Sequence, residues 1–321
     1  MTQAGSNPVR IVVLGAGAMG SLFGAQLAAA GHDVRMVDVP GAQLHALATG
    51  GIRLSTDGGT RQVAVAATVA AEQTDPADLL MVWTKGMHTQ AAAASVEHLI
   101  HSASWVVTLQ NGLGNAGILR TVFPAARLAI GITSHPADLI APGHVASHGG
   151  GTIRLWSADG QPDPAVDRLA TMLTAAGLAC VADPAVETAI WEKVAFNAAL
   201  NALCTITRKT VGDIAGRAEA RAMANAVVAE TLAVAQARGV PTDPGRVAQA
   251  IASAYDAHRG HKPSMLQDLL AGRPLEVETI NGAVVAFGAQ AGVPTPVTGV
   301  LLGLLRVIDP GCQHAWAGGT G

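Results

Sequence analysis

Three groups of residues in this 321-residue chain have the types and spacing to do chemistry. The first is Gly15-Ala16-Gly17-Ala18-Met19-Gly20, a G-x-G-x-x-G run that follows one apolar stretch and opens another. At this spacing Gly15 permits a tight strand-to-helix turn, Gly17 lets backbone approach a pyrophosphate, and Gly20 lets the helix pack against the strand. Ala16, Ala18 and Met19 complete a loop whose N–H groups, at a helix N-terminus, favour negative charge. A glycine-rich packing turn is the alternative. Asp38 ends the next β-rich run, about 20 residues after the glycines, where a carboxylate accepts hydrogen bonds from adenosine ribose hydroxyls. It would repel a 2′-phosphate, which favours NAD(H) over NADP(H); a solvated strand-end Asp is the plainer reading. Arg35 could answer a phosphate, and strand alternation leaves its side open.

The second group lies where two further β-rich runs end. Thr84-Lys85-Gly86 and Gln110-Asn111-Gly112-Leu113-Gly114 sit at carboxyl ends of strands, the ligand-binding edge of an open parallel sheet. Lys85 offers a charge to cofactor or substrate, and Asn111 can hydrogen-bond to both. A turn-forming Asn-Gly is the alternative for Asn111. The third group is Lys193, Asn197 and Asn201, four residues apart in an otherwise apolar helical pattern. That spacing stacks them along one helix face. Asparagine suits an ordinary wet face poorly, because Glu, Lys or Arg favours the helix more. The stripe therefore reads as the lining of a site. Nearer the C-terminus, Ser264 at a helix start either caps that helix with Gln267 as its capping-box partner or binds an anion. Glu276 and Glu278 cannot share a helix face, so one points to the site and the other to solvent or an Arg.

Elements must position these groups. Strands are expected at Arg10–Leu14, Asp33–Val37, Asp78–Thr84, Trp105–Leu109 and Arg127–Gly131, with helices at Ala18–Ala30, Gln43–Ala48, Met87–His101 and Asn115–Val122. Alternation of this kind implies an α/β fold, a Rossmann-type doubly wound parallel sheet. Gly143–His148 and Thr152–Trp156, parted by three glycines, read as a hairpin-like addition to the sheet edge. A helix at Pro164–Ala176 and a last strand at Leu178–Ala182 follow. From Ala185 onward helical patterns dominate: Ala185–Thr207, Arg217–Arg238, Gly245–His258, Leu275–Ala291 and Val297–Val307. Two domains follow, a dinucleotide-binding domain over 1–184 and an all-helical substrate-binding domain over 185–321.

Composition narrows the partners. Half the residues are hydrophobic and the net charge is −3 with no basic block, which argues against nucleic acid or anionic lipid. Cys180, Cys204 and Cys312 are isolated and odd in number, and the N-terminus lacks a signal-peptide pattern, so a cytoplasmic protein is expected. Glycines, Ser21 and Gln26 break the apolar run from Ile11 to Ala30, which is not a membrane span. The eleven histidines include near-neighbour pairs without a carboxylate or cysteine cluster, so no metal site is expected. The apolar C-terminal helices could form a homodimer interface or internal core.

Together these residues resemble the ketopantoate reductase (2-dehydropantoate 2-reductase) family over nearly the whole chain. The resemblance rests on the glycine run, Lys85-Gly86, Gln110-Asn111-Gly112, Trp191-Glu192-Lys193 with Asn197 and Asn201, Ser264-Met265-x-Gln267-Asp268, and Gly272-Arg273-x-x-Glu276-x-x-x-Ile280-Asn281-Gly282. It implies reduction of a 2-keto acid, 2-dehydropantoate, to (R)-pantoate by NADPH or NADH. It also implies Lys193 as general acid and Glu276 as partner of the substrate hydroxyl. Asn111, Asn197, Asn201 and Ser264 would position substrate, and Lys85 would line the cofactor–substrate cleft. Similar NADP-using chains carry a basic residue just after the second strand, where this one has Asp38-Val39-Pro40, so Asp38 speaks for NAD. An NAD-dependent D-2-hydroxyacid dehydrogenase of the same family is the nearest alternative. A non-catalytic dinucleotide sensor is another, although it would not need Lys193, Asn197, Asn201 and Glu276 together.

Overall fold

The computed structural model describes residues 8–311. Cys312 and the start of the chain, on which two of the expectations above rest, lie outside that range. The described chain divides into two compact units, one of residues 8–110 and 115–186, the other of residues 111–114 and 187–311.

The first unit begins with β1 (Arg10–Leu14), α1 (Ala18–Ala29), β2 (Asp33–Val37) and α2 (Ala42–Gly50). Three short strands follow, β3 (Ile52–Thr56), β4 (Gly59–Val63) and β5 (Ala66–Thr68), then β6 (Ala77–Val82), α3 (Thr89–Ser95), β7 (Ile100–Thr108) and α4 (Asn115–Arg120). The unit closes with β8 (Leu128–Thr133), β9 (Asp138–Ala141), β10 (His144–Ser147), β11 (Ile153–Ser157), α5 (Pro164–Ala175) and β12 (Cys180–Ala182). Eight strands form one sheet in the order β12-β11-β8-β7-β6-β1-β2-β5. From β8 to β5 every pairing is parallel, while β11 runs antiparallel to β8. Ile11, Val12, Val13 and Leu14 are all buried, as a strand covered on both faces requires. Apolar α1, with Leu22, Phe23 and Leu27 buried, supplies one of those covers.

Three sequence expectations change here, and one element is added. The stretches around 143–148 and 152–156 do not pair with each other. The first becomes β10, which joins a separate four-stranded sheet of order β4-β3-β10-β9, and the second becomes β11 in the main sheet. The three glycines therefore carry the chain from one sheet to another. The helix expected over Met87–His101 is broken: only Thr89–Ser95 is α-helical, short 3-10 turns flank it, and Ile100 already starts β7. Val96 and Leu99 are fully buried there. The added element is the β3–β4 hairpin, whose turn Asp57-Gly58-Gly59 marks. The strand carrying Thr84 ends earlier, at Val82, which leaves Thr84 and Lys85 in the following loop.

The second unit is helical: α6 (Val186–Thr207), α7 (Val211–Ala215), α8 (Ala218–Ala237), α9 (Pro244–Ala257), α10 (Ser264–Leu270), α11 (Ala283–Ala291) and α12 (Pro296–Ile308). Its core draws on α6, with Ala195, Ala198, Ala199 and Ala202 fully buried, so small residues let neighbouring helices come close. Thr210 and Asp213 cap α7 reciprocally, and Asp243 caps α9 ahead of Pro244. The single helix expected over Leu275–Ala291 begins later: residues 275–277 are not helical, and a π-helical turn at Glu278–Gly282 leads into α11. Gly292 in the left-handed region ends α11, as the Gly-Val-Pro sequence demands. Among the described residues no helix is long and apolar enough to cross a membrane.

Candidate active site

The glycine loop joins β1 to α1 and is braced from several sides. Gly15 has φ +97, and a Cβ there would stand 2.8 Å from the backbone of Trp83 and Thr84. Only glycine satisfies both conditions. A Cβ at Gly20 would meet the Gly15 carbonyl at 1.9 Å, so helix and loop touch backbone to backbone. Gly17 faces open space and is exposed. Its surroundings leave room for an anionic group at the start of α1.

Asp38 acts first on this loop. One of its carboxylate oxygens accepts from the Ala16 N–H at 2.6 Å and the other from the Val39 N–H at 2.7 Å. The sequence reading gave it to ribose hydroxyls. A carboxylate has capacity for about four hydrogen bonds, so both partners are compatible. The Ala16 carbonyl is held as well, by the Ser21 hydroxyl at 2.9 Å and the Gln43 amide at 2.7 Å. Gln43 accepts in turn from the Gly143 N–H at 2.8 Å, between β9 and β10. Sequence reasoning missed both Ser21 and Gln43. A serine directly after Gly20 in an apolar helix was the available signal.

Beside the loop lies a cleft of about 610 Å³, whose lining includes Gly17, Asp38, Val69, Trp83, Lys85 and His88. Val39, Pro40, Ala70, Ala91 and Ala92 make much of its wall apolar, as a base or ring requires. Among the described residues its basic side chains are Lys85 and His88. Arg35 does not line it and pairs instead with Asp75 at 2.9 Å, which answers the question of its side.

In the second unit, α6 carries Lys193, Asn197 and Asn201 at four-residue steps. Lys193 and Asn197 are half-buried and Asn201 is buried. The flanking residues hold the helix in place. Trp191 packs with Val194, Leu113 and Phe287, and Glu192 receives Arg246 at 2.6 Å and the Asp243 N–H at 2.8 Å. The adjacent lysine is left for the polar stripe. Burial pushes the Lys193 ammonium down to about 8, while the negative charge of Glu276 opposes the fall.

Glu276 is half-buried between buried Leu275 and Val277, just ahead of the π-turn. Glu278 points away and takes Arg306 through both oxygens at 2.7 and 2.8 Å. Asn281 on the turn is fully buried and donates to the Ala198 carbonyl at 3.0 Å, which fixes the turn to α6. Single-turn π-bulges of this kind recur at functional sites.

Asn111 arrives in this unit by an unexpected route. The segment 111–114 clusters with the helices, not with the sheet that precedes it. The Leu113 N–H donates to the Thr279 carbonyl on the π-turn at 2.7 Å. Gly112 has φ +86, and a Cβ there would lie 2.3 Å from that same carbonyl. Asn111, Lys193, Asn197, Asn201 and Glu276 thus belong to one compact unit. Ser264 is different from the expectation of a capping box: it is the first residue of α10, exposed, and no side chain caps that helix. Gln267 turns back to the Lys262 carbonyl at 3.0 Å instead.

Residues 11–160 match the ketopantoate reductase PanE/ApbA family, and residues 185–309 match the family's C-terminal domain. The chain belongs to the ketopantoate reductase family. Among its relatives, the 2-dehydropantoate 2-reductase of Archaeoglobus fulgidus is 33% identical over 302 residues, 94% of this chain and 98% of that one. The enzyme of the same name from Streptococcus pyogenes is 29% identical over 89% of this chain and 93% of its own. Solved structures in and around the ketopantoate reductase family superpose closely. The PanE/ApbA family ketopantoate reductase of Ralstonia eutropha has a TM-score of 0.87 at 32% identity, covering 95% of this chain and 99% of its own. D-Mandelate dehydrogenase in its ternary structure with NADH and anilino(oxo)acetate gives 0.90 at 29% identity, over 94% and 99%.

Proposed function

We propose that this protein reduces the keto group of 2-dehydropantoate to (R)-pantoate with a reduced nicotinamide dinucleotide. The observation that carries the proposal is Lys193: a lysine on an otherwise apolar helix, its ammonium brought down to about 8 by burial and faced by the charge of Glu276. A general acid works best with a value near the working pH. The dinucleotide, when bound, supplies the hydride that reaches the keto carbon. The Lys193 ammonium stabilises the oxyanion that forms and gives it a proton, and the resulting amine is reprotonated from solvent. Glu276 accepts from the substrate hydroxyl, and Asn111, Asn197, Asn201 and Ser264 orient the substrate. The loop Gly15–Gly20 holds the diphosphate, and Lys85 assists in the cleft.

NADH is the preferred reductant in this reading. Asp38 borders the cleft, and among the described residues no guanidinium lines it to receive a 2′-phosphate. The similarity to D-mandelate dehydrogenase with bound NADH supports a second reading, an NAD-dependent D-2-hydroxyacid dehydrogenase for another branched or aromatic 2-keto acid. One experiment separates them: loss of nicotinamide absorbance with 2-dehydropantoate, benzoylformate and branched 2-keto acids, each with NADH and NADPH. Preference for 2-dehydropantoate supports the first reading and preference for benzoylformate the second. No consumption with any of them favours a dinucleotide sensor.

The cysteine pattern supports a cytoplasmic location. The exposed stripe of Val300, Leu304 and Val307 on α12 supports a homodimer, which sedimentation would reveal.

A further inference from the structure

Gln110, the last residue before the chain enters the segment 111–114, uses every part of its side-chain amide. Its Oε1 accepts from the Thr108 hydroxyl at 2.8 Å. Its Nε2 donates to the Thr89 hydroxyl at 2.9 Å and to the Thr84 carbonyl. Thr89 in turn donates to Asn115 Oδ1 at 3.4 Å. Thr89, Thr108 and Asn115 are all buried. One side chain therefore ties together the end of β7, the loop after β6, the first residue of α3 and the start of α4. The Thr84 carbonyl belongs to the peptide that leads directly into Lys85.

We propose that Gln110 is a positioning residue that sets the backbone at Thr84–Lys85, and through it the Lys85 ammonium, for the reaction. The inference rests on the reductase reading above and extends it to a residue that touches neither hydride nor proton. Glutamine is the side chain this place needs. It offers one acceptor for Thr108 and two N–H donors for Thr84 and Thr89. Glutamate has the same length but would set a carboxylate against the Thr84 carbonyl. Methionine has the length and none of the bonds, and leaves the buried partners unsatisfied. A catalytic group displaced by even about 1 Å can lose on the order of a hundredfold in rate.

The test uses the full chain with Gln110→Met, Thr89→Val and Thr89→Ser. With 2-dehydropantoate, Gln110→Met should lower kcat by roughly 10- to 100-fold. NADH affinity should stay within about threefold, because the glycine loop and Asp38 keep their own bonds. Thr89→Ser keeps the hydroxyl and should stay near wild type, whereas Thr89→Val should follow Gln110→Met. The two losses should not add in the double variant, since both break one network. Amide hydrogen exchange at residues 84–89 should quicken in Gln110→Met while β1 and β6 stay protected. Unchanged kcat in Gln110→Met overturns the proposal, as does an equal loss in Thr89→Ser. Should wild type reduce no 2-keto acid, the reductase reading fails by itself, and unchanged exchange at 84–89 then overturns the role of Gln110. If Gln110→Met does not fold, the Thr89→Ser and Thr89→Val pair decides.

Discussion

Replacing Lys193 with methionine should make the protein more stable at neutral pH while abolishing its chemistry. Burial holds the ammonium at about 8 against an ordinary 10.5. That gap corresponds to roughly 3 kcal/mol by which folding disfavours the charged lysine below pH 8. The attraction of Glu276 is already contained in this figure, because it opposes the fall, and it must not be subtracted again. Lys193 keeps part of its surface in water, so roughly 3 kcal/mol is an upper bound, and a gain of about 1–3 kcal/mol is expected. The sign follows from proton binding. Between pH 8 and 10.5 the unfolded chain holds the lysine proton more tightly than the folded one, so wild-type stability from this group rises with pH across that window. It is lost again as pH falls towards 8. The methionine variant has no such rise, and its advantage should shrink as pH approaches 10.5. Urea unfolding of both proteins at pH 7 and pH 10, with m-values compared, measures the effect. A methionine variant less stable than wild type by more than about 1 kcal/mol at pH 7 would refute the reasoning. Its meaning would be that the ammonium–Glu276 attraction outweighs burial.

Three further outcomes follow from the same geometry. The rate of keto-acid reduction should fall as pH rises through about 8, where Lys193 loses its proton, and the reverse oxidation should rise over the same range; paired pH profiles check this. Gly112→Ala puts a Cβ against the Thr279 carbonyl at a φ of +86 and should cost roughly 1–3 kcal/mol, read as a lower melting temperature. Asp38→Ala removes the acceptor of the Ala16 and Val39 N–H groups, and should weaken NADH by about tenfold while the ratio of NADPH to NADH use increases, as titration with each cofactor would show.

Much of this architecture is legible from local pattern. A run such as Ile11–Leu14, apolar at every position and followed by spaced glycines, has few fates other than a central parallel strand feeding a helix. Lys193, Asn197 and Asn201 need only the helical repeat to share a face, and α6 supplies it. What the sequence conceals is tertiary. Nothing near Asn111 announces that Leu113 will bond to Thr279, more than 150 residues later, and so the segment's membership of the helical unit could not be read. The π-turn at Glu278–Gly282 keeps a helical hydrophobic pattern and hides inside it. The capping-box alternative for Ser264 fails for a similar reason: a serine three residues before a glutamine fits that motif, yet the helix starts one residue earlier than the motif allows. Asp38 shows the converse. Its place at a strand end is visible, but its bond to Ala16 depends on how β1 and β2 lie side by side.

The whole account turns on whether the Lys193 ammonium delivers the proton that completes keto-acid reduction. Nicotinamide absorbance followed with saturating 2-dehydropantoate, in wild type and in Lys193→Met, measures this directly. A fall in kcat of roughly 10²- to 10⁴-fold with NADH affinity preserved is the predicted result. Turnover within about tenfold of wild type would contradict it.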